Sequence, residues 1–362
     1  VGFVQPLIIC QSDLSSYKIS FHQPFPLALA VSTPTTITER SGFYLTLKTR
    51  NGLEAKGEAA PLAGISPETI RRVRHDLTEI RSYLMELEVP LDKDGLIALL
   101  RREPHILNLC PSARFGVESA LMMLAARACG QSLAQFLGGQ LQDVTTAALL
   151  QGAVTQVMAD VKKFVEQGYT VFKLKVGDRN IALDVKKVGD IRMLLPREGR
   201  LRLDGNRIWS LKEACIFFEL AGRQKIEFIE EPLRDISQLD QFYQQTHMSV
   251  ALDETLFGGL SGTHAMTSSL ATLSQHEAVR AYVLKPMILG GIIPTLDWIQ
   301  EAQRLDKKVI ISSSFESTVG LKVLANLACL TGQPAGLGTE RWLKNVKPIT
   351  DEHGIIKKEF LA

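Results

Sequence analysis

The stretch running through VFKLKV (171–176), RLRLDGN (200–206), IEFIEEP (226–232) and VALDE (250–254) decides the fold. Each piece is a short apolar run that ends in charge, and a helix-length amphipathic segment follows each one. The series extends in both directions, with TAALLQ (146–151) before it and RAYVLKP (280–286), KVIISSS (308–314) and a weaker AGLGT (335–339) after it. Successive runs start 24 to 30 residues apart, the period of a repeating strand–helix unit. No GxGxxG or phosphate-binding loop occurs to make this an open nucleotide-binding sheet. Eight such units predict an α/β fold, a (β/α)8-type barrel.

The part before residue 136 reads differently. FYLTLKTRNGLEAKGEAA (43–60) alternates apolar and polar residues around Asn51-Gly52, a hairpin signal because Asn-Gly adopts the positive φ angles of a tight turn. Ser66-Pro67-Glu68 opens a helical pattern to about residue 86, with Ser66 as its cap. A second helical run covers about Ser112 to Leu137, and Gly138-Gly139 ends it. Strands followed by helices predict an N-terminal α+β capping domain over 1–135, ahead of the barrel over 136–340 and a C-terminal tail over 341–362.

Composition narrows the function. Lys and Arg number 41 against 39 Asp and Glu, a net charge of +2, which argues against nucleic acid or a membrane surface as a partner held by bulk charge. Five widely spaced cysteines without a CxxC predict reduced, buried thiols and not a disulfide frame or zinc site. VGFVQPLIIC lacks the pattern of a signal peptide, and no apolar run approaches the length of a membrane span. The expected location is the cytoplasm.

The strand ends carry the chemistry. A parallel barrel strand is buried on both faces and should be apolar. Here Lys173 and Lys175 end the second run, Asp204 and Asn206 the third, Glu230 and Glu231 the fourth, Asp253 and Glu254 the fifth, Lys285 the sixth and Ser312, Ser313 and Ser314 the seventh. One strand-end charge is unremarkable, since it can face solvent or cap the next helix. Five consecutive strands with charges at the rim where barrel active sites form are a site. Strand alternation groups Lys173 with Lys175, Asp253 with small Ala251, and Glu230 with Phe228. It therefore favours Asp253 over Glu254 and Glu230 over Glu231 as the inward acids. Three carboxylates without His or Cys suit Mg2+ or Mn2+. Flanking lysines imply an anionic substrate, and a desolvated lysine near other cations becomes a base near neutral pH.

These motifs resemble the enolase superfamily, muconate-lactonizing subgroup, over nearly the whole chain. GEAAPLAGISPET (57–69) is similar to that family's capping-domain signature, and SALMMLAARACGQSLAQFLGG (119–139) to its helix entering the barrel. Lys173-Leu174-Lys175, LRLDGNRIW (201–209), FIEEP (228–232), ALDET (251–255) and VLKP (283–286) resemble its lysine and metal-ligand strands. Within the subgroup, ISSSFESTVGL (311–321) and AGLGT are most like the o-succinylbenzoate synthases, the dehydratases of menaquinone biosynthesis. The resemblance implies Lys175 as the base, Lys173 as its support, and Lys285 as the cation across the enolate. It implies Asp204, Glu230 and Asp253 as ligands of Mg2+, and no other cofactor. Ser312, the Gly336 backbone, Arg202 and Asn206 would bind a small carboxylate substrate. Arg202 has an equally good reading as a salt-bridged residue deeper in the strand. N-acylamino acid racemases, muconate cycloisomerases and dipeptide epimerases share much of this set. The last carry acids on the eighth strand for the substrate's ammonium, and none stands in AGLGT. Ser32 to Arg40 is a candidate lid, Gly57 to Pro61 a second wall, and the tail is expected to return to the capping domain.

Overall fold

The computed structural model describes residues 7–27, 35–85, 87–177, 180–257 and 268–362. The alternating segment around Asn51-Gly52 forms the expected hairpin, Thr35–Thr49 against Glu54–Ala59, with Phe43 opposite Ala59. It belongs to a four-stranded antiparallel sheet whose longest member, Leu7–Leu27, also pairs with Thr35–Thr49. Of the candidate lid, residues 32–34 lie outside the described residues, and 35–40 are strand rather than loop.

Two helices cover this sheet. The first, Ile70–Leu84, is capped by Thr69 and not by Ser66, whose hydroxyl instead accepts from the Leu62 amide at 2.9 Å. The second, Pro111–Ala128, stops nine residues earlier than its apolar pattern implies. Gly130 turns the chain at φ +65, and Ser132 and Gln135 form a capping box for a separate short helix, Leu133–Phe136. That reciprocal cap satisfies amides a continuous helix would have bonded internally. Gly57 explains how closely sheet and helix approach. A Cβ there would lie 1.8 Å from the Gly116 carbonyl oxygen.

The repeating units form a parallel seven-stranded sheet, curled in order from Ala148–Leu150 through Val171–Lys175, Arg200–Asp204, Ile226–Glu230, Val250–Leu252 and Val279–Leu284 to Lys308–Ile311. The eighth run is not a regular strand. Ala335 and Gly336 make one bridge each, to Thr146 on one edge and Ser312 on the other. Two glycines in five residues leave too few side chains to pack there as a strand. Phe228, Ala251, Ala281, Val283 and Ile310 form an apolar layer of their own, and Phe228 and Ala251 are the residues that alternation pairs with Glu230 and Asp253.

Capping-domain carboxylates dock onto barrel helices. Glu118 is fully buried, pairs with Arg114 and accepts from the Ile293 amide at 2.8 Å, at the start of helix Ile292–Arg304. Glu58 accepts from the Ser317 and Gly320 amides at 2.9 and 2.8 Å, at the start of helix Thr318–Ala328. A carboxylate at a helix N-terminus meets both unpaired amides and the positive end of the dipole. The tail divides. Leu343 and Lys344 pair with the capping strand at Phe21 and Ser20, whereas Ile355–Ile356 pair with Val144–Thr145 and Ala362 accepts from Lys322. Among the described residues these bonds tie the first part of the tail to the capping domain and the last part to the barrel. All five cysteines are free of disulfides, but only Cys329 is buried as expected; Cys110 and Cys215 are half-buried, and Cys10 and Cys129 are exposed. No helix among the described residues is long and apolar enough to cross a membrane.

Removing the Glu118 carboxylate strands Arg114 without its partner. Glu118→Ala should cost about 3–5 kcal/mol, the range for breaking a buried ion pair, measured by urea denaturation. A loss below about 1 kcal/mol, the level of an exposed pair, would contradict the docking role.

Candidate active site

The strand ends converge on one cavity of about 130 Å3. Lys173, Lys175, Asp204, Asn206, Glu254 and Lys285 line its floor, and Ser312 to Phe315 with Gly336, Gly338 and Thr339 line one side. Phe25, Leu62 and Ile65 of the capping domain form an apolar wall. The second wall is thus Leu62 and Ile65, just past Gly57 to Pro61. The carbonyls of Ala60 and Pro61 are instead taken by Arg40.

Lysines and acids interleave on the floor. Lys173 Nζ lies 2.6 Å from Glu230 and 3.0 Å from Asp204, and Lys285 Nζ is ion-paired to Asp253. Burial alone would lower both lysines, but the surrounding carboxylates outweigh it and hold both well above the ordinary range. Lys175 differs. It has no hydrogen-bond or ion-pair partner among the described residues, and burial, aided by Lys173 and Lys285, lowers its pKa against the pull of Asp204. Lys175 is therefore the lysine readiest to lose its proton.

The acids outnumber the lysines. Burial pushes Glu230 up to about 8, helped by Asp204 and Asp253 and opposed by Lys173. It pushes Asp253 to about 6 against the effect of Lys285, and Glu254 to about 7. Asp204 alone stays below its usual value, because Lys173 and Lys175 more than offset its burial. Glu230 Oε1, Asp253 Oδ1 and Glu254 Oε2 are buried without a hydrogen-bond donor.

Among the described residues no three His, Cys, Asp or Glu side chains converge closely enough to hold a metal ion as they stand. Two ammonium groups occupy the acids instead, Lys173 on Asp204 and Glu230 and Lys285 on Asp253. The orphaned oxygens of Glu230 and Asp253, on carboxyl groups that face one another, nevertheless fit a hard divalent cation with oxygen ligands.

Two acids set aside by alternation have identifiable work. The fifth strand ends at Leu252, and Glu254 begins a short helix, so strand parity no longer governs it. Glu254 lines the cavity and accepts from Asn206 Nδ2 at 3.1 Å. Glu231, at φ +44, turns away and accepts from the Asp253 and Thr255 amides at 2.8 and 2.7 Å and from the Thr255 hydroxyl. It fixes the backbone that carries Asp253.

Two substrate-binding expectations change. Arg202 is not brought to the cavity. It donates to Glu227 at 2.8 Å and to the Pro334 carbonyl at 2.7 Å, its guanidinium 5.3 Å from the Phe228 ring centre. It lies two residues before Asp204 on its strand, in an ion cluster with Glu227 and Lys308. The Gly336 amide is likewise spent, donating to the Ile311 carbonyl at 2.9 Å. What Gly336 supplies is room, since a Cβ there would lie 2.8 Å from Ser312 Oγ.

Residues 156–360 match the family model described as enolase C-terminal domain-like, and residues 17–138 the model for the N-terminal domain of mandelate racemase / muconate lactonizing enzyme. Protein PHYLLO, chloroplastic, of Arabidopsis thaliana is 29% identical over 338 residues, 84% of this chain, although the match spans only 19% of that protein's length. The o-succinylbenzoate synthase of Aliivibrio fischeri (strain MJ11) is 29% identical over 81% of this chain and 79% of its own. The L-Ala-D/L-Glu epimerase of Bacillus subtilis is 26% identical over 88% of this chain and 84% of its own. Its substrate-liganded structure superposes with a TM-score of 0.80 over 97% of this chain and 96% of that one, at 23% identity, a likeness of fold.

The position of Arg202 has a measurable consequence. Arg202→Met should destabilise the protein by about 1–3 kcal/mol, because the Pro334 carbonyl loses its donor while Glu227 keeps Lys308. Ligand affinity at the cavity should stay within about twofold, because separated sites act independently. A tenfold loss of affinity in a folded variant would return Arg202 to the binding residues.

Proposed function

The chain belongs to the enolase superfamily, and from that premise we propose that it is an o-succinylbenzoate synthase. The reaction is the syn-dehydration of 2-succinyl-6-hydroxy-2,4-cyclohexadiene-1-carboxylate to o-succinylbenzoate, a step of menaquinone biosynthesis. The observation that carries this reading is the wall built from the seventh strand and the eighth segment. Its lining residues are Ser312, Ser313, Ser314, Gly336, Gly338 and Thr339, hydroxyls and backbone without a carboxylate. Such a wall accommodates an anionic succinyl tail and offers no carboxylate to pair with a substrate ammonium. The o-succinylbenzoate synthase among the relatives supports the same choice.

In this reading Lys175, the unpartnered lysine, takes the proton from the carbon next to the ring carboxylate. Its electrons move toward that carboxylate. The ring hydroxyl then departs from the same face, and the ammonium of Lys175 returns the proton to it, releasing water and leaving an aromatic ring. Lys285, kept charged by Asp253, lies against the anionic intermediate. Lys173 holds Asp204 and Glu230 in place beside the base. Asp204, Glu230 and Asp253 would hold a divalent metal, Mg2+ or Mn2+, whose charge stabilises negative charge on the substrate carboxylate. Asn206, bonded to Glu254, faces the substrate with its carbonyl oxygen unpaired.

An N-acylamino acid racemase is the second reading, favoured by the presence of both Lys175 and Lys285 at one cavity and by the likeness to an epimerase. The deciding assay follows the ultraviolet chromophore of the cyclohexadiene substrate with Mg2+ present, alongside optical activity of N-succinylamino acids. Fast dehydration with little racemization is expected. Racemization without dehydration would move the protein to the isomerase class.

Lys175→Ala should lower kcat by at least about 10²–10⁴-fold, the usual range for a positioned acid–base group, and Lys285→Ala by about 10²–10³-fold, the range for one electrostatic stabiliser, both with unchanged circular dichroism. Near-full activity of Lys285→Ala would refute its role. Since Lys175 works as a base only when neutral, kcat/KM should rise with pH through its pKa, with a midpoint below that of free lysine. A profile falling over that range would exclude Lys175 as the base.

A further inference from the structure

Behind the serine wall lies a buried group of ionisable residues that the proposed chemistry leaves unused. Arg40 of the capping domain is 2% exposed, and Glu58 and Glu316 are fully buried. Arg40 donates to the Ala60 carbonyl at 2.7 Å, to the Pro61 carbonyl, and across the domain boundary to the Phe315 carbonyl at 3.3 Å. Glu58 grips the following turn through the Ser317 amide and hydroxyl, at 2.9 and 2.6 Å. Glu316 accepts from the Ser313 hydroxyl at 2.6 Å and the Ser314 amide at 2.7 Å.

Phe315 explains why this grip matters. It sits at φ +63, a conformation that a bulky residue adopts only when its surroundings enforce it. Arg40 holds its carbonyl, and Phe21 and Phe25 of the capping domain hold its ring at centroid distances of 5.1 and 4.7 Å. The turn sorts the three serines before it. The Ser313 hydroxyl is committed to Glu316 and receives Thr339 at 2.8 Å. Ser312 makes no side-chain hydrogen bond among the described residues. Ser314, 1% exposed, lines the cavity with a buried hydroxyl that has no partner among the described residues. A buried hydroxyl left unpaired is costly unless a ligand completes it.

We propose that Arg40 is a positioning residue for substrate recognition: by gripping the Phe315 carbonyl from the capping domain it fixes the turn that presents the Ser312 and Ser314 hydroxyls to the carboxylate-bearing tail of the substrate, which Ser314 contacts directly. This deepens the proposed function and rests on it. The capping domain thereby sets tail specificity without lining the tail's site at that point.

The test compares Ser314→Ala, Arg40→Met and Arg40→Lys with the parent, in KM and kcat for the cyclohexadiene substrate and in Kd for o-succinylbenzoate and tail-less benzoate. Ser314→Ala and Arg40→Met should each raise KM and the o-succinylbenzoate Kd about tenfold, as for loss of a hydrogen bond to a charged group. They should change kcat less than about threefold and leave the benzoate Kd alone, because the reacting end is untouched. Arg40→Lys, able to reach fewer carbonyls, should fall between. Combining Arg40→Met with Ser314→Ala should add less than about twofold, since both act on one contact. An unchanged o-succinylbenzoate Kd, or an equal loss for benzoate, overturns the inference. If Arg40→Met does not fold, Ser314→Ala and Arg40→Lys decide it by the same criteria. A parent protein that neither converts the cyclohexadiene nor binds o-succinylbenzoate marks failure of the proposed function, and is thereby distinguished from variants that behave like an active parent.

Discussion

Four buried or half-buried carboxylates, Asp204, Glu230, Asp253 and Glu254, share one end of a barrel with three lysines. Most of what is distinctive about the molecule follows from that imbalance. Each charge taken from water costs several kcal/mol unless another group compensates it. Lys173 and Lys285 compensate three of the acids and are held charged in return. The remainder appears as raised carboxyl pKa values and orphaned oxygens on Glu230 and Asp253. The same arrangement sets the lysines apart from each other. Lys175, with no ion-paired carboxylate among the described residues, is pushed toward neutrality by its burial, aided by the cations around it.

Such a site must be closed off by something rigid, and the capping domain supplies it. Its own buried glutamates, Glu58 and Glu118, end on the N-termini of two barrel helices. The interface is therefore built from directional bonds as well as apolar contact, and it fixes register. Phe21, Phe25 and Leu62 of the cap meet Phe315 and Leu343 of the barrel side in one apolar cluster. The cluster shields the cavity mouth while leaving its polar floor untouched.

The strand-end charges were readable because a parallel barrel strand is otherwise apolar, so each of Lys173, Lys175, Asp204, Glu230, Asp253 and Lys285 stands out against its own run. Alternation picked Glu230 and Asp253 as the inward acids, and the structure pairs both with lysines while Glu231 turns away. It misjudged Glu254, because the rule holds only while the strand lasts and this one ends at Leu252. Arg202 shares a strand face with Asp204, but position along the strand, which alternation does not give, puts it with Glu227. The break at Gly130 hid inside an apolar run, since a capping box competes with helix continuation at little local cost. The work of Glu58, Arg40 and Glu316 could not be read, because Glu58 and Arg40 reach across more than 250 residues to Ser317 and Phe315, and Glu316 bonds Ser313 and Ser314 within the left-handed turn at Phe315.

The proposed function requires the acids at the barrel mouth, which contact Lys173 and Lys285 here, to take up a divalent cation. Calorimetric titration of Mg2+ into metal-free protein tests it most directly. One Mg2+ should bind per chain, and binding should be lost in Glu230→Gln and in Asp204→Asn. No binding of Mg2+ or Mn2+, or binding undiminished in both variants, would contradict the account.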